Sequence, residues 1–490
     1  MNETLDVAPI RRVPTGIRGF EHISVGGLVE GRNTLLVGTS GSGKTLFATE
    51  LLYRAVTLFG KQAVFVTFEE KPADIARNVQ RLGWDLPALV REKKLIILDA
   101  SLDRAVVEAG GYDLSGIISQ ITDAVNEVDA KLVVLDSLGA LFYQFENPGI
   151  LRREILRLTD HLQDMGVTSV MTAERLEEYG PVTRYGIEEF VSDCVVVLRH
   201  QLLDEKVRRT IQIYKLRGDR HYKDEFPFTI ECNGFCILPL SAAELELTQA
   251  STADRISFGS ARFDEMAGGG LFQDSVILFS GPTGCGKTLM ATTFAAEACR
   301  RGERVLFLGY EESRPQLVRN AGSWGRDFEK WERAGLLKIA CQYPEAQGFE
   351  GHAYAIQREI EQYRPSRLVI DSISALERIG SVRHFREFVI GLTGFVKQKQ
   401  VCSLFTSSSP SLSGGISITD AHISTITDAI VLLRYVERNG ALSRGLIIIK
   451  MRGSQHDKQF HEYTISGKGL EIGEPFVHVP SALLGIASVS

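Results

Sequence analysis

The chain has 490 residues, more than one hydrophobic core organises, so two or three domains are expected. A hydrophobic content of 44% and a charged content of 24% exclude wholesale disorder. Fifty-five basic against 61 acidic residues leave a net charge of −6, so binding to nucleic acid or membrane would need a local basic patch.

The opening stretch, MNETLDVAPIRRVP, lacks the apolar core of an export signal, and no run of about 18 apolar residues follows. A cytoplasmic protein without a membrane span is the expectation. The first apolar strand runs into LLVGTSGSGKT (35–45), and a second reads VFVTFEE (64–70). A third, LVVLDS (132–137), precedes an amphipathic helix over RREILRLTDHLQDMG (152–166). The strand VSDCVVVLR (191–199) and the motif KLRG (215–218) complete the first half.

A small, polar seam, PLSAAELELTQASTA (239–253), separates it from a second series of the same landmarks. These are LFSGPTGCGKT (278–288), LFLGYEE (306–312), LVIDS (368–372), ITDAIVLLR (426–434) and KMRG (450–453). The spacing between copies is nearly constant: the motif lysines are 44 and 287, the strand-end aspartates 136 and 371, the KxRG lysines 215 and 450. Five landmarks in one order mark a tandem duplication. The predicted domains are residues 1–240 and 254–474, with a linker at 241–253 and a short tail at 475–490. Alternating apolar runs and amphipathic stretches predict an α/β fold in each, a mainly parallel sheet flanked by helices. The seven cysteines (194, 232, 236, 285, 299, 341, 402) are dispersed, which reads as reduced thiols; Cys232 and Cys236 lack the second pair that zinc requires.

Both Gly38–Thr45 and Gly281–Thr288 satisfy GxxxxGK[ST], each after a strand and before a helix. Glycines let backbone N–H groups curl around phosphates, and the helix N-terminus adds positive potential. Gly41, Ser42, Gly43, Lys44, Thr45 and Leu46 form the first candidate ATP cradle, and Thr283, Gly284, Cys285, Gly286, Lys287, Thr288 and Leu289 the second. Lys44 and Lys287 are expected on the β- and γ-phosphates, with the Thr45 and Thr288 hydroxyls on Mg²⁺. Asp136 and Asp371 end apolar strands, where a carboxylate can hold Mg²⁺ through water.

The pairs Glu69-Glu70 and Glu311-Glu312 also end strands, where a general base beside the γ-phosphate would sit. Alternation along a strand lets one glutamate of each pair face the nucleotide, the other supporting it. In KxRG, strand alternation sets Lys and Arg on one face, for Lys215-Leu216-Arg217 and for Lys450-Met451-Arg452. With no obvious acidic partner in cis, these cations read as arginine-finger devices for a neighbour's γ-phosphate.

The paired loops, EE pairs and KxRG motifs, with SFGSARFDEMAGGGLFQDS (257–275) and ITDAHISTITDAIVLLRYVE (418–437), resemble the KaiC circadian clock family over about residues 10–473. The resemblance implies RecA-like domains in a two-tiered homohexamer with ATP at subunit interfaces. It further implies slow ATPase in the first ring, and Ser/Thr autokinase and autophosphatase activity in the second. By position Glu69 and Glu311 would be general bases assisted by Glu70 and Glu312, with Glu311 also near the metal. Nucleotide contacts would fall on Lys215, Leu216, Arg217 and His221, and on Trp324, Arg444, Lys450, Met451, Arg452 and His456. Ser424 and Thr425 correspond to phosphorylated hydroxyls, and Thr419 to a regulatory threonine. Their first-copy counterparts, Glu189, Phe190 and Arg184, carry no hydroxyl, so only the second copy can accept phosphate there.

The chain departs from the family pattern at Asp219, which replaces a threonine, and at Glu231-Cys232, which replaces Thr-Asp; both bear on the base or sugar pocket. Family members carry a charged C-terminal extension through which a KaiA-like activator works; EPFVHVPSALLGIASVS, ending at Ser490, does not resemble it, so regulation by such an activator is not the expectation. EAGGYDLSGII (108–118) is similar to the part that binds KaiB, and a downstream histidine kinase or response regulator is the implied output. Two other classes compete: a RecA- or DnaB-like motor and a scaffold assembled by ATP. The acidic charge, with only RREILR and KVRR as basic clusters, argues against nucleic acid, and intact EE pairs argue against a scaffold.

Overall fold

A computed structural model describes residues 10–101, 114–142, 148–183, 186, 191–203, 206–238, 252–408, 423, 425–438, 441–467 and 469–476. The chain divides into two compact units, Met1–Pro239 and Leu240–Ser490. Each holds one nine-stranded sheet.

In the first unit the strands are β1 (Asn33–Gly38), β2 (Ala63–Thr67), β3 (Leu95–Asp99), β4 (Leu132–Asp136), β5 (Thr168–Glu174), β6 (Cys194–Leu203), β7 (Lys206–Leu216), β8 (Phe226–Glu231) and β9 (Gly234–Ile237). Their order across the sheet is β3-β2-β4-β5-β1-β6-β7-β8-β9. The first six in that order are parallel and the last three return antiparallel. The second unit repeats this with β10 (Val276–Gly281), β11 (Val305–Gly309), β12 (Leu337–Cys341), β13 (Arg367–Asp371), β14 (Cys402–Ser408), β15 (Ala429–Arg438), β16 (Ala441–Met451), β17 (His461–Ser466) and β18 (Gly469–Pro475). The order β12-β11-β13-β14-β10-β15-β16-β17-β18 is the same topology.

Every residue of β1, β2 and β4 is buried, as a parallel strand covered on both faces demands. Apolar clusters lie on both faces of the first sheet, one around Phe47, Leu51 and Phe65, the other around Leu135, Ile155 and Leu158. Helix α1 (Lys44–Phe59) covers one face, and Gly60, in the left-handed conformation, ends it. Helix α2 (Pro148–Asp164) covers the other through Leu151, Ile155, Leu158 and Leu162, spaced three and four apart. It begins four residues before the helix predicted over 152–166 and ends two residues before it, residues 165–166 forming a turn. Among the described residues no helix is long and apolar enough to cross a membrane.

The second core contains a buried cation. Arg367, at the start of β13, is 0% exposed. Its guanidinium donates to Glu303 Oε2 at 2.8 Å and to the Ser257 carbonyl at 2.8 Å, and lies 4.9 Å from the Phe294 ring. Removing one partner of such a buried network leaves the other unpaired and opens a cavity. Arg367→Ala is expected to destabilise the second unit by about 3 kcal/mol, read as an earlier unfolding transition in urea.

Candidate functional site

All six parallel strands end on one edge of the sheet, so the loops that follow them share one neighbourhood. From β1, at the sheet centre, the chain turns through Gly38–Gly43 into α1. Gly43 has φ 100°, and a Cβ there would lie 3.0 Å from Phe235 Cζ. Gly286 has φ 96°, and its Cβ would meet Ile465 Cδ1 at 2.8 Å. Only glycine fits both the conformation and the space. Helix α3 (Lys287–Arg300) then begins, as α1 does in the first unit.

Lys44 Nζ donates to the Gly38 and Thr39 carbonyls, each at 3.0 Å, and burial lowers its pKa against the pull of Glu174 and Asp136. Lys287 Nζ donates to Gly281 and Pro282 carbonyls at 2.9 and 3.0 Å. Each motif threonine donates to the aspartate from the next strand but one: Thr45 Oγ1 to Asp136 Oδ2 at 2.9 Å, Thr288 Oγ1 to Asp371 Oδ2 at 2.7 Å. The other oxygen of each aspartate accepts from a threonine of the intervening strand, Thr172 on β5 and Thr406 on β14. Burial raises the pKa of Asp136 and of Asp371, and these hydroxyls oppose the rise.

The glutamate pairs lie in bends beyond Thr67 and Gly309, not on the strands themselves. Strand alternation therefore does not separate their roles; their partners do. Glu69 Oε1 accepts from Ser137 Oγ at 3.0 Å, and Glu311 Oε1 from Ser372 Oγ at 2.6 Å. Glu70 accepts from Asn78 Nδ2 at 3.3 Å, and Glu312 from Asn320 Nδ2 at 3.1 Å. Burial first, then Asp136, raises the pKa of Glu70. The sequence reading missed Thr172, Thr406, Asn78 and Asn320, although each recurs at the repeat spacing.

The KxRG motifs are elsewhere. Strand β6 pairs with β1 through Cys194–Thr34 and Leu198–Gly38, and β7 returns with Leu216 opposite Cys194. Leu216 is thus level with Thr34, four residues before the phosphate loop, or about 13 Å along the strand. In the second unit Met451 is opposite Ala429, which pairs with Ile277, again four residues before Gly281. In each unit these cations are at the end of the sheet away from the phosphate loop.

Two expectations for the motif need correction. Lys215-Leu216 and Lys450-Met451 close their strands, but Arg217 and Arg452 sit in the turns beyond, so strand alternation does not align Lys with Arg. Acidic partners in cis also exist: Arg217 Nη1 lies 3.5 Å from Asp193 Oδ1, and Arg452 Nη1 3.6 Å from Asp428 Oδ1. Distance along the chain hid them. Lys215 and Lys450 donate to the Ser192 and Thr427 carbonyls, both at 2.7 Å.

Nearby, His221 Nε2 and both ring nitrogens of His456 are buried without a hydrogen-bond partner, and burial lowers the His221 pKa. Such orphaned atoms suit a ligand that supplies the missing contact. Arg452 also donates to the Thr425 carbonyl at 2.6 Å, so this exposed threonine is at the far end too. Ser424, Thr419 and most of 108–118 lie outside the described residues.

Arg444 differs from the other carried-over contacts. It is opposite Tyr435, its guanidinium 5.8 Å from that ring, and Tyr435 Oη donates to Thr283 O at 3.3 Å, so it belongs to the phosphate-loop end. The equivalent pair in the first unit is Arg209 opposite His200, which the sequence reading passed over. Trp324 follows the helix Arg314–Ser323, its ring 5.9 Å from the guanidinium of buried Arg326.

The family model described as "ATPase: KaiC" matches the chain twice, over residues 13–242 and 256–476. The chain belongs to the KaiC ATPase family. It is 51% identical over 479 residues to the circadian clock oscillator protein KaiC of Thermosynechococcus vestitus, covering 98% of this chain and 92% of that one. It is 51% identical to the protein of that name from Synechococcus elongatus, covering 97% and 91%, and 52% identical to that from Rippkaea orientalis, covering 95% and 89%. An ATPase of the KaiC family binds ATP, and both units carry an intact GxxxxGK[ST] loop.

The buried aspartates make a testable trade. An ionised carboxylate that burial disfavours is a cost to the free protein. Asp371→Asn is expected to hold or raise the melting temperature without nucleotide, by up to about 4 °C. ATP is expected to stabilise the second unit of wild type and not that of the variant, as differential scanning calorimetry would read.

Proposed function

We propose that the chain is a Mg²⁺-dependent ATPase and Ser/Thr autokinase and autophosphatase, assembled as a cytoplasmic homohexamer with each ATP shared between subunits. One observation carries the shared site: within each unit the phosphate loop and the KxRG cations lie at opposite ends of the sheet. One γ-phosphate cannot touch both in the same unit. A ring that sets one subunit's phosphate-loop edge against the next subunit's KxRG edge joins them.

Thr45 with Asp136, and Thr288 with Asp371, offer a hydroxyl and a carboxylate, the hard oxygen donors that Mg²⁺ prefers. Glu311 lies close enough to the second pair to raise the Asp371 pKa, which fits its expected place near the ion. Bound there, Mg²⁺ would offset charge on the β- and γ-phosphates.

The protein's own groups do the rest. The loop N–H groups and Lys44 or Lys287 bind the phosphates, the lysine leaving the carbonyls it now contacts. Glu69, oriented by Ser137, takes the proton of the attacking water in the first unit. Glu70, held by Asn78, keeps a second carboxyl beside it. In the second unit Glu311, oriented by Ser372, takes the proton of a neighbour's Ser424 or Thr425 hydroxyl. That oxygen bonds to the γ-phosphorus, the bond to the bridging oxygen breaks, and ADP leaves. Lys450 and Arg452 arrive from the acceptor's own subunit, since Arg452 already holds the Thr425 backbone. Clock or stress timing is the proposed setting, with a KaiB-like partner and a histidine kinase or response regulator downstream.

Complementation separates transfer between subunits from transfer within one. A chain with Lys287→Ala lacks a working donor, and one with Ser424→Ala and Thr425→Ala lacks acceptors. Neither should acquire phosphate at 424 or 425 alone. Mixed with Mg-ATP, the Lys287→Ala chain is expected to become phosphorylated there, as phosphopeptide mass spectrometry would show. A mixture as silent as its components would overturn the shared site.

A further inference from the structure

The two phosphate loops are held differently. In the second unit Tyr435 reaches the loop with a single hydroxyl, donated to the Thr283 carbonyl. In the first unit His200 takes that place and brings a carboxylate with it. Thr39 Oγ1 donates to Glu178 Oε1 at 2.5 Å. His200 Nδ1 lies 3.2 Å from both Glu178 Oε1 and Thr39 Oγ1, and the His200 backbone N–H donates to Glu178 Oε2 at 3.1 Å. The opposite edge of the ring faces the loop: a Cβ on Gly41 would lie 3.9 Å from Nε2 and 4.0 Å from Cε1.

Two oxygens around Nδ1 assign the proton of the neutral ring to that nitrogen, bonded to Glu178. Nε2 then presents a lone pair toward the loop. Taking up a second proton turns this edge into a donor and adds a unit positive charge beside the loop that receives the phosphates. The clasp also touches the motif lysine, because the Thr39 carbonyl that accepts from Lys44 Nζ belongs to the residue Glu178 holds.

The surrounding charges are Lys44, Glu174 at the end of β5, Arg209 opposite His200, and Arg199. Arg199 donates to the Glu178 carbonyl at 3.1 Å, lies 3.6 Å from Glu225, and covers the Tyr179 ring at 5.1 Å. None of these neighbours is a histidine, the side chain that ordinarily changes charge between pH 5 and 8.

We propose that Glu178 and His200 are positioning residues for the first unit's ATP site, and that a proton on His200 strengthens its hold on the phosphates. This rests on the reading of Gly38–Thr45 as an ATP cradle. The sign follows from charge: the polyphosphate is anionic, so a cationic His200 holds it more tightly than a neutral one.

The test is steady-state ATPase of the full chain carrying Glu311→Gln and Glu312→Gln, which silence second-unit turnover, from pH 6 to 8.5. With His200 intact, KM for ATP is expected to rise about 3–10-fold toward high pH, the effect of one nearby charge in a partly solvated site. With His200→Gln it should stay at the high value throughout, with kcat within about twofold. His200→Lys, a fixed cation, should restore the low KM at pH 8.5, which a purely structural role would not allow. Glu178→Gln should raise KM at low pH while thermal melts confirm a folded chain. ATP changes its own protonation over this range equally for every variant, so the difference between curves carries the result. Parallel KM profiles for His200 and His200→Gln would overturn the proposal while leaving the ATP site standing. A chain that binds no fluorescent ATP analogue at any pH would instead overturn the ATP reading.

Discussion

Six parallel strands must all end on the same edge, and that constraint organises both units. Whatever ends or follows a strand is delivered to one place: Gly38 at the end of β1, Glu69 and Glu70 after β2, Asp136 on β4, Glu174 on β5. The three strands that return antiparallel then carry the chain back, so β7 and β16 finish at the other edge with Lys215 and Lys450. Two sets of cations that each suit a triphosphate are thereby kept apart within one unit. On the proposed reading each edge carries half of a site, and a ring of identical subunits is the simplest closure that completes every site.

The donor half is costly to the free protein. Asp136 and Asp371 are buried carboxylates whose nearest partners are neutral hydroxyls, and Lys44 is partly stripped of water. A threonine in the first turn of α1 or α3 and another on β5 or β14 grip each aspartate, so the carboxylate is aimed before any ligand arrives. Preorganisation of this kind lets binding proceed without reorganising the site, at a modest cost in stability. The units are not copies in every respect. His200 with Glu178 stands where Tyr435 stands, and Arg326 occupies the place of Trp84, which stacks on Tyr53. Arg326 is buried with hydroxyl and carbonyl acceptors, and burial pushes its pKa down to about 10.

Local pattern made the fold legible, because a strand, a GxxxxGK[ST] loop and a helix are contiguous and recur in order. The donor half of the site was legible for the same reason, since each of its groups directly follows an apolar run. What escaped the sequence depends on register between distant segments. Thr172 reaches Asp136 only because β5 lies between β1 and β4, and Asp193 reaches Arg217 only because β6 and β7 pair at the residues beside them, Cys194 and Leu216. Glu178 follows β5 in a loop with no motif of its own, yet it meets Thr39 across 139 residues. Placing Arg217 and Arg452 on strands failed because a strand's last residues and the turn beyond read alike in sequence.

The division of the site between subunits is the claim on which the functional account turns, and mass measured together with turnover addresses it directly. Multi-angle light scattering should give a sixfold mass with Mg-ATP and smaller species without it, with ATPase activity confined to the large species. A monomer at saturating Mg-ATP that hydrolyses at the full rate would show that one chain completes its own site, and would contradict the account.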